Sequence, residues 1–369
     1  MNHLVLYRKY RPKTFAEIVG QEHVVQTLTN ALIRENISHA YLFAGPHGTG
    51  KTTIARLLAK SLNCKNRKKE EFEPCNQCDS CREINQGNAL DLIEIDAASN
   101  RGIDEIRDLK EGINFLPAKS KYKVFILDEA HQLSKDAANA LLKTLEEPPS
   151  HAIFVLATTE AYKMIPTIIS RCQRFDFRKL KGEEIVGRLE RILKQEQINF
   201  EPESLNLITQ VSNGSIRDAE TLLDEVVSFS GKEREVKKDM VLTLLGIADQ
   251  VIIFEFLDYI SQKKAKEAVE FLNEIIFKGV DLREFNKSLV QYLREILLFK
   301  IDSNFQNPLS FGLSEEERKK LNNLAKDFSE TEIKDLLEKF VIAESKMRYS
   351  SIPQLPLELA IVEICSKKE

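Results

Sequence analysis

The sequence predicts an α/β protein in which a parallel sheet carries a phosphate-binding loop and helical segments follow in the chain. First, residues 45–52 read GPHGTGKT, which matches the pattern GxxxxGK followed by Ser or Thr. The apolar run Ala40–Ala44 precedes this loop and residues with helical spacing, Thr53–Lys60, follow it, which is the context that the pattern requires. Second, apolar runs of strand length recur as far as Phe177. Third, helical spacing dominates after Lys181.

Length and composition limit the classes of protein. A chain of 369 residues is long enough for two or three domains. With 43% hydrophobic and 30% charged residues, it has the composition of a globular protein in water. No stretch approaches the roughly 18 apolar residues of a membrane span, and the first residues lack the pattern of a signal peptide, so we expect a cytoplasmic protein. The formal charge of -4 argues against a wholly basic nucleic-acid-coating protein, so any DNA contact must be local.

The glycine-rich loop predicts a site for a nucleoside triphosphate. Its glycines let successive backbone N–H groups turn toward the phosphates, and the N-terminus of the next helix adds partial positive charge. Lys51 is expected to reach the β- and γ-phosphates and Thr52 to ligate Mg²⁺. A turn that matches by chance is the alternative, which the flanking strand and helix disfavour. His47 occupies a free position of the pattern and receives no chemical role. The nucleotide-binding residues expected here are Gly45, Pro46, His47, Gly48, Thr49, Gly50, Lys51, Thr52 and Thr53.

A cysteine-containing insertion follows the helix after the loop. Its cysteines are Cys64, Cys75, Cys78 and Cys81. Disulfides are not favoured in a cytoplasmic protein, whereas four thiolates at this spacing can surround one Zn²⁺ tetrahedrally. Free thiols or redox chemistry remain as the alternative. A zinc ion with four protein ligands has no open position, so we expect it to brace the insertion, and we expect nucleotide binding to survive its loss largely intact.

The next elements place acidic residues beside the loop. Asp91–Asp96 alternates as a strand does and leads toward a charged helix around residues 103–109, after which Val124–Leu127 forms a buried strand. Asp128 and Glu129 end that strand, and ligands of parallel sheets bind at the carboxyl ends of strands. Asp128 suits Mg²⁺, and Glu129 suits polarising the water that attacks the γ-phosphate. Alone, the two acids could merely begin a helix.

Two more strands complete the predicted sheet. The strand Ala152–Ala157 ends in Thr158–Thr159, where a hydroxyl can help to orient the attacking water; an ordinary strand-end cap is the alternative. A short helix then ends at Arg171, and Arg174–Phe177 forms the last strand. The order of these segments therefore predicts one parallel sheet with its chemistry at the carboxyl ends of its strands.

Helical segments fill the rest of the chain. Those near the sheet domain, which we interpret as a small lid, are Glu183–Gln195, Pro202–Val211 and Ser215–Phe229. A lid that moves with the γ-phosphate can convert hydrolysis into a shape change. Residues 231–238 are charged, show no apolar face and predict a boundary, beyond which amphipathic patterns predict an all-helical domain. The predicted domains are residues 1–179, with the cysteine insertion at 64–81, then 180–230 and 240–369.

As a set, these residues resemble the gamma/tau subunits of the bacterial DNA polymerase III clamp loader, a family of AAA+ ATPases. The resemblance rests on the phosphate-binding loop, the four cysteines, Tyr10-Arg11-Pro12, Val19-Gly20-Gln21, Asp128-Glu129-Ala130-His131, Leu141–Pro149, Ala157-Thr158-Thr159 and Ser170-Arg171-Cys172. It is dense from about Tyr7 to Leu223 and thinner beyond. It implies an AAA+ core, a helical lid and a C-terminal helical collar that joins subunits.

The resemblance also implies roles for single residues. Arg8, Arg11, Pro12 and Val19 are expected near the adenine and ribose. Thr158 is expected to be a first sensor of the nucleotide and Arg217 a second. Arg171 is expected to reach the ATP of a neighbouring subunit, where a guanidinium neutralises the charge that develops on the transferred phosphoryl group.

The implied function is ATP-driven loading of a ring-shaped sliding clamp onto primed DNA. The expected partners are delta-type and delta′-type clamp-loader subunits, further copies of this chain in a five-membered ring, the sliding clamp and primer-template DNA; the expected cofactors are ATP, Mg²⁺ and Zn²⁺. Two alternatives stay open: a structural ring subunit that binds nucleotide weakly, and another AAA+ motor acting on DNA. The sequence shows no identifiable polymerase site, so we expect no nucleotide incorporation by the purified chain.

Overall fold

The computed structural model describes residues 4–99, 112–113, 115–231, 234–245, 250–302, 325–326 and 328–366. The charged helix predicted around residues 103–109 lies outside these described residues. The chain divides into two compact units. The first unit comprises Met1–Arg188 and Ser212–Thr221, and the second comprises Leu189–Val211 and Leu222–Glu369.

A five-stranded parallel sheet forms the centre of the first unit. Its strands are β1 (Ala40–Ala44), β2 (Leu92–Asp96), β3 (Lys123–Asp128), β4 (Ala152–Thr158) and β5 (Gln173–Asp176). They lie in the order β2-β3-β4-β1-β5, and every neighbouring pair is parallel. All residues of β1 and β4 are buried, because strands covered on both faces consist of apolar residues throughout. The predicted strands are confirmed, with bounds that differ by at most one residue at either end.

Helices cover both faces of this sheet. They include α1 (Leu6–Lys9), α2 (Glu22–Ile33), α3 (Lys51–Asn63), α4 (Asp79–Gln86), α5 (Lys135–Glu146) and α6 (Pro166–Ile169), with 3-10 helices at Phe15–Glu17, Ala130–Gln132 and Ala161–Lys163. Alternate residues of a strand point to opposite faces. Tyr41 and Phe43 therefore join one buried apolar cluster with α2 and α3, whereas Ala40 and Leu42 join another with α5. Burial of both clusters anchors the sheet from either side.

Helix α3 connects the phosphate-binding loop with the cysteine insertion. The turn before it ends at Gly50, whose φ of +98° lies in the left-handed region that favours glycine. Leu57 and Leu58 are buried in the cluster on one face of the sheet, which fixes the helix against β1. Cys64 follows the last residue of α3 directly. The loop and the first cysteine therefore lie at opposite ends of one rigid helix.

The chemically important segments meet at one edge of the sheet. Ala44 of β1 and Thr158 of β4 are register partners, and β3, which ends at Asp128, lies on the other side of β4. The carboxyl ends of parallel strands share an edge. The loop after β1, the acids after β3 and the threonines at the end of β4 are therefore brought together, as the sequence predicts.

Helices dominate the chain after residue 181. The three predicted before residue 231 are α7 (Gly182–Glu196), α8 (Pro202–Ser212) and α9 (Ile216–Ser230). Those that follow are α10 (Lys238–Leu245), α11 (Gln250–Ser261), α12 (Ala265–Phe277), α13 (Leu282–Ile301), α14 (Glu330–Met347) and α15 (Leu355–Ser366). In the core of the second unit, Phe256 packs edge-to-face on Phe285 and Phe340, with ring centroids 5.2 and 6.1 Å apart. In the described part of the chain, every helix is too short or too polar to cross a membrane.

The interpretation of residues 231–238 as a connector without an apolar face is wrong. Glu235–Val236 forms a short strand, β7, which pairs in parallel with β6 at Asn199–Phe200. The side chain of Val236 is fully buried. A strand of two residues presents a single apolar side chain among charged neighbours, which is too little for a pattern to reveal.

Candidate active site

The phosphate-binding loop is held on two sides. Within it, the Thr49 hydroxyl donates a hydrogen bond to the Pro46 carbonyl at 2.9 Å. The carbonyl of Gly48 accepts a hydrogen bond of 3.1 Å from the backbone N–H of Ile216, at the start of α9. A Cβ atom at Gly48, whose φ is +69°, would lie 1.9 Å from the hydroxyl oxygen of Ser215. Only glycine therefore allows this close approach of the loop to α9.

Lys51 is buried at the base of the loop. Its Nζ donates hydrogen bonds to the carbonyls of Gly45 and Pro46 at 2.8 and 2.7 Å. Burial lowers the pKa of Lys51, and the carboxylates of Glu129 and Asp128 partly offset that effect. The carboxylates thus favour the charged ammonium, which is the form that attracts phosphate.

Thr52 and Asp128 bring a hydroxyl and a carboxylate oxygen together beside the loop. The Thr52 hydroxyl donates a hydrogen bond of 2.8 Å to Oδ2 of Asp128, and Oδ1 of Asp128 accepts one of 3.0 Å from the backbone N–H of Glu129. Hydroxyl and carboxylate oxygens are the ligands that Mg²⁺ prefers, usually with phosphate and water oxygens. The residues present therefore fit a magnesium ion at this point.

Glu129 lies at the centre of a hydrogen-bonded network. Its Oε2 accepts hydrogen bonds from the hydroxyl and the backbone N–H of Thr159, at 2.8 and 3.2 Å, and lies 3.4 Å from Nδ1 of His131. The side chain of His131 is only 6% exposed; its Nδ1 lies 2.9 Å from the hydroxyl of Thr158 and its Nε2 lies 3.1 Å from Oε2 of Glu160. The φ of Glu129 is +47°, a conformation that costs a non-glycine residue about 1 kcal/mol and typically persists where a functional site requires it.

The two threonines at the end of β4 have different partners. Thr159 contacts the Glu129 carboxylate directly, whereas the Thr158 hydroxyl contacts the ring of His131. The sequence predicts a threonine hydroxyl beside the acids, and the family resemblance implies that this threonine is Thr158. In the structure, however, the hydroxyl that contacts Glu129 is that of Thr159. His131 was not predicted to be a site residue from the sequence. Its position three residues after Asp128 is the signal that could have placed it in the site.

A cleft opens beside the loop. Its lining residues are Tyr7, Arg11, Pro12, Glu17, Ile18, Val19, Asp128, Glu129, Leu180, Arg188, Ile216, Arg217, Glu220 and residues 47–53. Arg11, Pro12, Val19 and Arg217 are thus brought to the cleft, as expected. Arg8 is exposed and lies outside the lining, where its Nε donates a hydrogen bond of 3.2 Å to the hydroxyl of Tyr7.

The wall of the cleft contains a buried ion pair, Arg188 with Glu220, that the sequence did not predict. Nε of Arg188 donates a hydrogen bond of 2.8 Å to Oε1 of Glu220, and each side chain is only 7% exposed. Nη2 of Arg188 also donates to the carbonyl of Tyr10. Burial raises the pKa of Glu220, and the charge and hydrogen bond of Arg188 counter that rise. On amphipathic helices, such residues cannot be distinguished by sequence from charges on a solvated face.

Arg171 lies outside this cleft. Its Nη2 forms an ion pair of 2.7 Å with Glu146, and its Nη1 donates a hydrogen bond of 2.8 Å to the carbonyl of Thr167. One third of the side chain is exposed. The guanidinium is therefore held at the surface, outside the lining of its own chain's cleft.

The four predicted metal ligands come together. The sulfur atoms of Cys64, Cys75, Cys78 and Cys81 all lie within 4.8 Å of one another. A tetrahedral zinc site with bonds of about 2.3 Å places its sulfur atoms about 3.8 Å apart, so the cluster fits Zn²⁺ after a small contraction. Burial raises the pKa of Cys75, but hydrogen bonds from the amides of Gln77 and Cys78 outweigh it and lower that pKa to about 6. These amides favour the thiolate, which is the form that binds metal.

Comparisons with known proteins match almost the whole length of the chain. The family described as DNA polymerase III, delta subunit, matches residues 20–181; the clamp loader subunit ATPase lid domain matches residues 184–232; and domain III of subunits gamma and tau matches residues 236–369. A DNA polymerase III subunit gamma of Buchnera aphidicola is 37% identical over 368 residues, which cover 99% of each chain. This chain belongs to the DNA polymerase III gamma/tau family. The AAA+ fold class predicted from the sequence is thereby confirmed.

Longer members of the gamma/tau family also align. A tau subunit of Bacillus subtilis is 42% identical over 365 residues, which cover 99% of this chain and 64% of the relative. A tau subunit of Escherichia coli is 38% identical over 363 residues, which cover 98% of this chain and 55% of the relative. The chain thus spans between about half and two thirds of the length of these tau subunits.

Proposed function

We propose that this chain is an ATP-hydrolysing motor subunit of a clamp loader, which places a ring-shaped sliding clamp on primed DNA. The observation that carries the proposal is the convergence of Thr52, Asp128 and Glu129 beside the phosphate-binding loop. This convergence provides for phosphate binding, metal coordination and activation of water in one cleft. The names of the gamma/tau relatives support a role within DNA polymerase III.

Each residue of the loop edge has a chemical role in this proposal. Lys51 and the backbone N–H groups of the loop bind the β- and γ-phosphates, and the Thr52 hydroxyl and Asp128 carboxylate hold Mg²⁺. When bound, Mg²⁺ neutralises negative charge on the phosphate oxygens. The carboxylate of Glu129 accepts a proton from the attacking water or polarises it. Thr159 and His131 fix that carboxylate, and Thr158 acts on it through the His131 ring.

The other end of the cleft receives the nucleoside. In this proposal the base and ribose are contacted by three residues of the N-terminal segment that line the cleft, Arg11, Pro12 and Val19. Arg217 responds to the phosphates from the start of α9, whose first backbone N–H is bonded to Gly48 of the loop. That bond offers a direct route from loop to helix for a change in the bound nucleotide.

The catalytic arginine comes from a neighbouring subunit in this proposal. Arg171 is held at the surface by Glu146 and Thr167, outside its own cleft, as a residue acting on the next subunit must be. The ring further contains delta-type and delta′-type subunits and copies of this chain, and it acts on the sliding clamp and primer-template DNA. The core at residues 1–179, the lid at 180–230 and the collar at 240–369 are the proposed domains, and Zn²⁺ is the proposed ion of the cysteine cluster.

The test is steady-state ATP hydrolysis by this chain, alone and with its delta-type partners, the sliding clamp and primed DNA. Lys51→Ala should abolish ATP binding. Arg171→Ala should retain ATP binding and lose about a thousandfold or more of the stimulated rate. Arg174→Ala, which removes another partly exposed arginine, one paired with Asp176 nearby, is the matched control and should hydrolyse ATP as the wild type does. A stimulated rate that survives Arg171→Ala would refute the proposed ring.

A further inference from the structure

The segment from Arg11 to Val19 meets the nucleotide cleft in two places. Arg11 and Pro12 line the cleft at its start, and Glu17, Ile18 and Val19 line it at its end. The residues between them, 13–16, lie outside the lining. Whatever holds this middle part therefore sets the position of both lining parts.

The cysteine insertion holds it through Glu73. The Oε2 and Oε1 atoms of Glu73 accept hydrogen bonds from the backbone N–H groups of Phe15 and Ala16, at 2.8 and 2.9 Å. These are the first amides of a 3-10 helix, which have no acceptor within the helix itself. Hydrogen bonds to a carboxylate are roughly twice as strong as those between neutral groups. The ring of Phe72 also packs edge-to-face on the buried ring of Phe15, with centroids 6.4 Å apart.

A second set of hydrogen bonds joins the cysteine insertion, the segment Arg11 to Val19 and helix α3. The buried Nζ of Lys60 in α3 donates hydrogen bonds to the Lys13 carbonyl, to Oδ1 of Asn76 and to Oδ1 of Asn85, at 2.8, 2.7 and 2.9 Å. The amide group of Asn76 donates to the same Lys13 carbonyl at 3.1 Å. Asn76 directly follows Cys75 and has a φ of +56°, a left-handed conformation that asparagine tolerates. The fold of the insertion around its cysteines therefore sets the position of Asn76.

We infer that the cysteine insertion is a positioning element of the nucleotide cleft: Glu73 and Asn76 fix residues 13–16 and thereby place Arg11, Pro12 and Glu17–Val19 for an adenine nucleotide. This inference deepens the proposed function and rests on its nucleotide site. It revises the expectation that nucleotide binding is largely independent of the cysteine loop. Metal at the four thiols strengthens nucleotide binding through these contacts, although the thiols lie outside the cleft.

Hydrogen exchange of the full wild-type chain tests the mechanical link. Removal of metal with a chelator should accelerate exchange in a peptide that covers residues 13–19, because the amides of Phe15 and Ala16 lose their fixed acceptor. A peptide that covers β4 is the internal reference and should exchange at an unchanged rate. Unchanged protection of residues 13–19 after complete metal removal would overturn the inference.

Equilibrium binding of a fluorescent ADP analogue tests the consequence for the cleft. Glu73→Ala should raise its Kd about three- to tenfold at full metal content, because only about a tenth to a third of the molecules then hold the segment in place. Glu70→Ala, in the same insertion and exposed, is the matched control and should bind as the wild type does. Metal removal should raise Kd for the wild type and for Glu70→Ala, but add little to the effect of Glu73→Ala.

The outcomes separate this inference from the proposed function. Equal Kd values for the wild type and Glu73→Ala overturn the inference and leave the motor proposal intact. A wild-type chain that binds no adenine nucleotide refutes the proposed function. In that case the hydrogen-exchange experiment alone decides whether the insertion holds residues 13–16 in place.

Discussion

Replacement of Arg188 by methionine should destabilise the first unit by about 3–5 kcal/mol at neutral pH. Arg188 and Glu220 form a hydrogen-bonded ion pair of 2.8 Å, and each side chain is only 7% exposed. Without the guanidinium, the Glu220 carboxylate stays buried and loses its ion-pair partner. The carbonyl of Tyr10 also loses a hydrogen-bond donor. The loss therefore combines an uncompensated charge with an unsatisfied backbone group.

The loss should depend on pH in a defined direction. Burial raises the pKa of Glu220 and Arg188 counters that rise, so the pKa of Glu220 climbs further in Arg188→Met. The folded variant then binds the Glu220 proton more tightly than the unfolded chain, whose glutamate pKa is about 4.3. The contribution of Glu220 to the free energy of unfolding of the variant should be largest below about pH 4.3 and be lost as pH rises through the raised pKa. The gap between variant and wild type should therefore widen from acidic to neutral pH.

Urea unfolding, followed by far-ultraviolet circular dichroism at several pH values between 5 and 8, measures this difference. The double variant Arg188→Met with Glu220→Leu removes both charges and should recover much of the loss, because the remaining apolar side chains can pack together. Arg191→Met changes an exposed arginine of the same helix and should stay within about 0.5 kcal/mol of the wild type. A loss below about 1 kcal/mol, or one that is the same at every pH, would refute the reasoning.

Three further predictions concern the loop, the water-activating acid and the metal. Thr159→Val removes a hydrogen bond to Glu129 and should lower kcat for ATP hydrolysis about ten- to a hundredfold, with little change in ATP affinity. Thr159→Ser keeps the hydroxyl and should keep the rate. An unchanged kcat in Thr159→Val contradicts this prediction. Gly48→Ala places a Cβ 1.9 Å from the Ser215 hydroxyl oxygen and should impair nucleotide binding, whereas Gly187→Ala, whose Cβ meets nothing within 4 Å and whose φ is not positive, should bind as the wild type does; equal Kd values contradict this. Metal analysis should return about one Zn per chain, and Cys78→Ser should lose it; zinc-free folded wild type contradicts this.

The sequence predicts the sheet better than it predicts contacts within the site. Strands covered on both faces leave long apolar runs, which made β1, β3 and β4 predictable, whereas β2 was predictable from its alternation of apolar and acidic residues. The bounds of all five strands agree with the prediction to within one residue. Which threonine meets Glu129 was not predictable from the residues. Successive side chains along a strand point to opposite faces, so Thr158 and Thr159 point in different directions where β4 ends. An error of one residue in the predicted end of the strand therefore decides which of the two is placed beside Glu129.

Other features have no local signature. The pairing of Arg188 with Glu220 joins residues 32 positions apart on two helices, and each alone resembles a solvated charge. The contacts of Glu73 to residues 15 and 16 depend on how the cysteine insertion folds back on the chain, which spacing does not reveal. The cysteines themselves were predictable because metal coordination requires a fixed number of ligands at short spacing.

The order of the strands has a consequence for synthesis of the chain. Strand β1, which carries the phosphate-binding loop, has β4 and β5 as its neighbours, so Ala40 pairs with Phe154 and Phe43 with Phe175. A chain that leaves the ribosome from its N-terminus exposes β1 long before either neighbour exists. At about 5–20 residues per second, the wait lasts roughly 6 to 23 seconds. During that time this apolar strand has both edges unpaired, and its second edge stays unpaired until residue 176 at the end of β5 has emerged, which makes the nascent chain a candidate for chaperone binding.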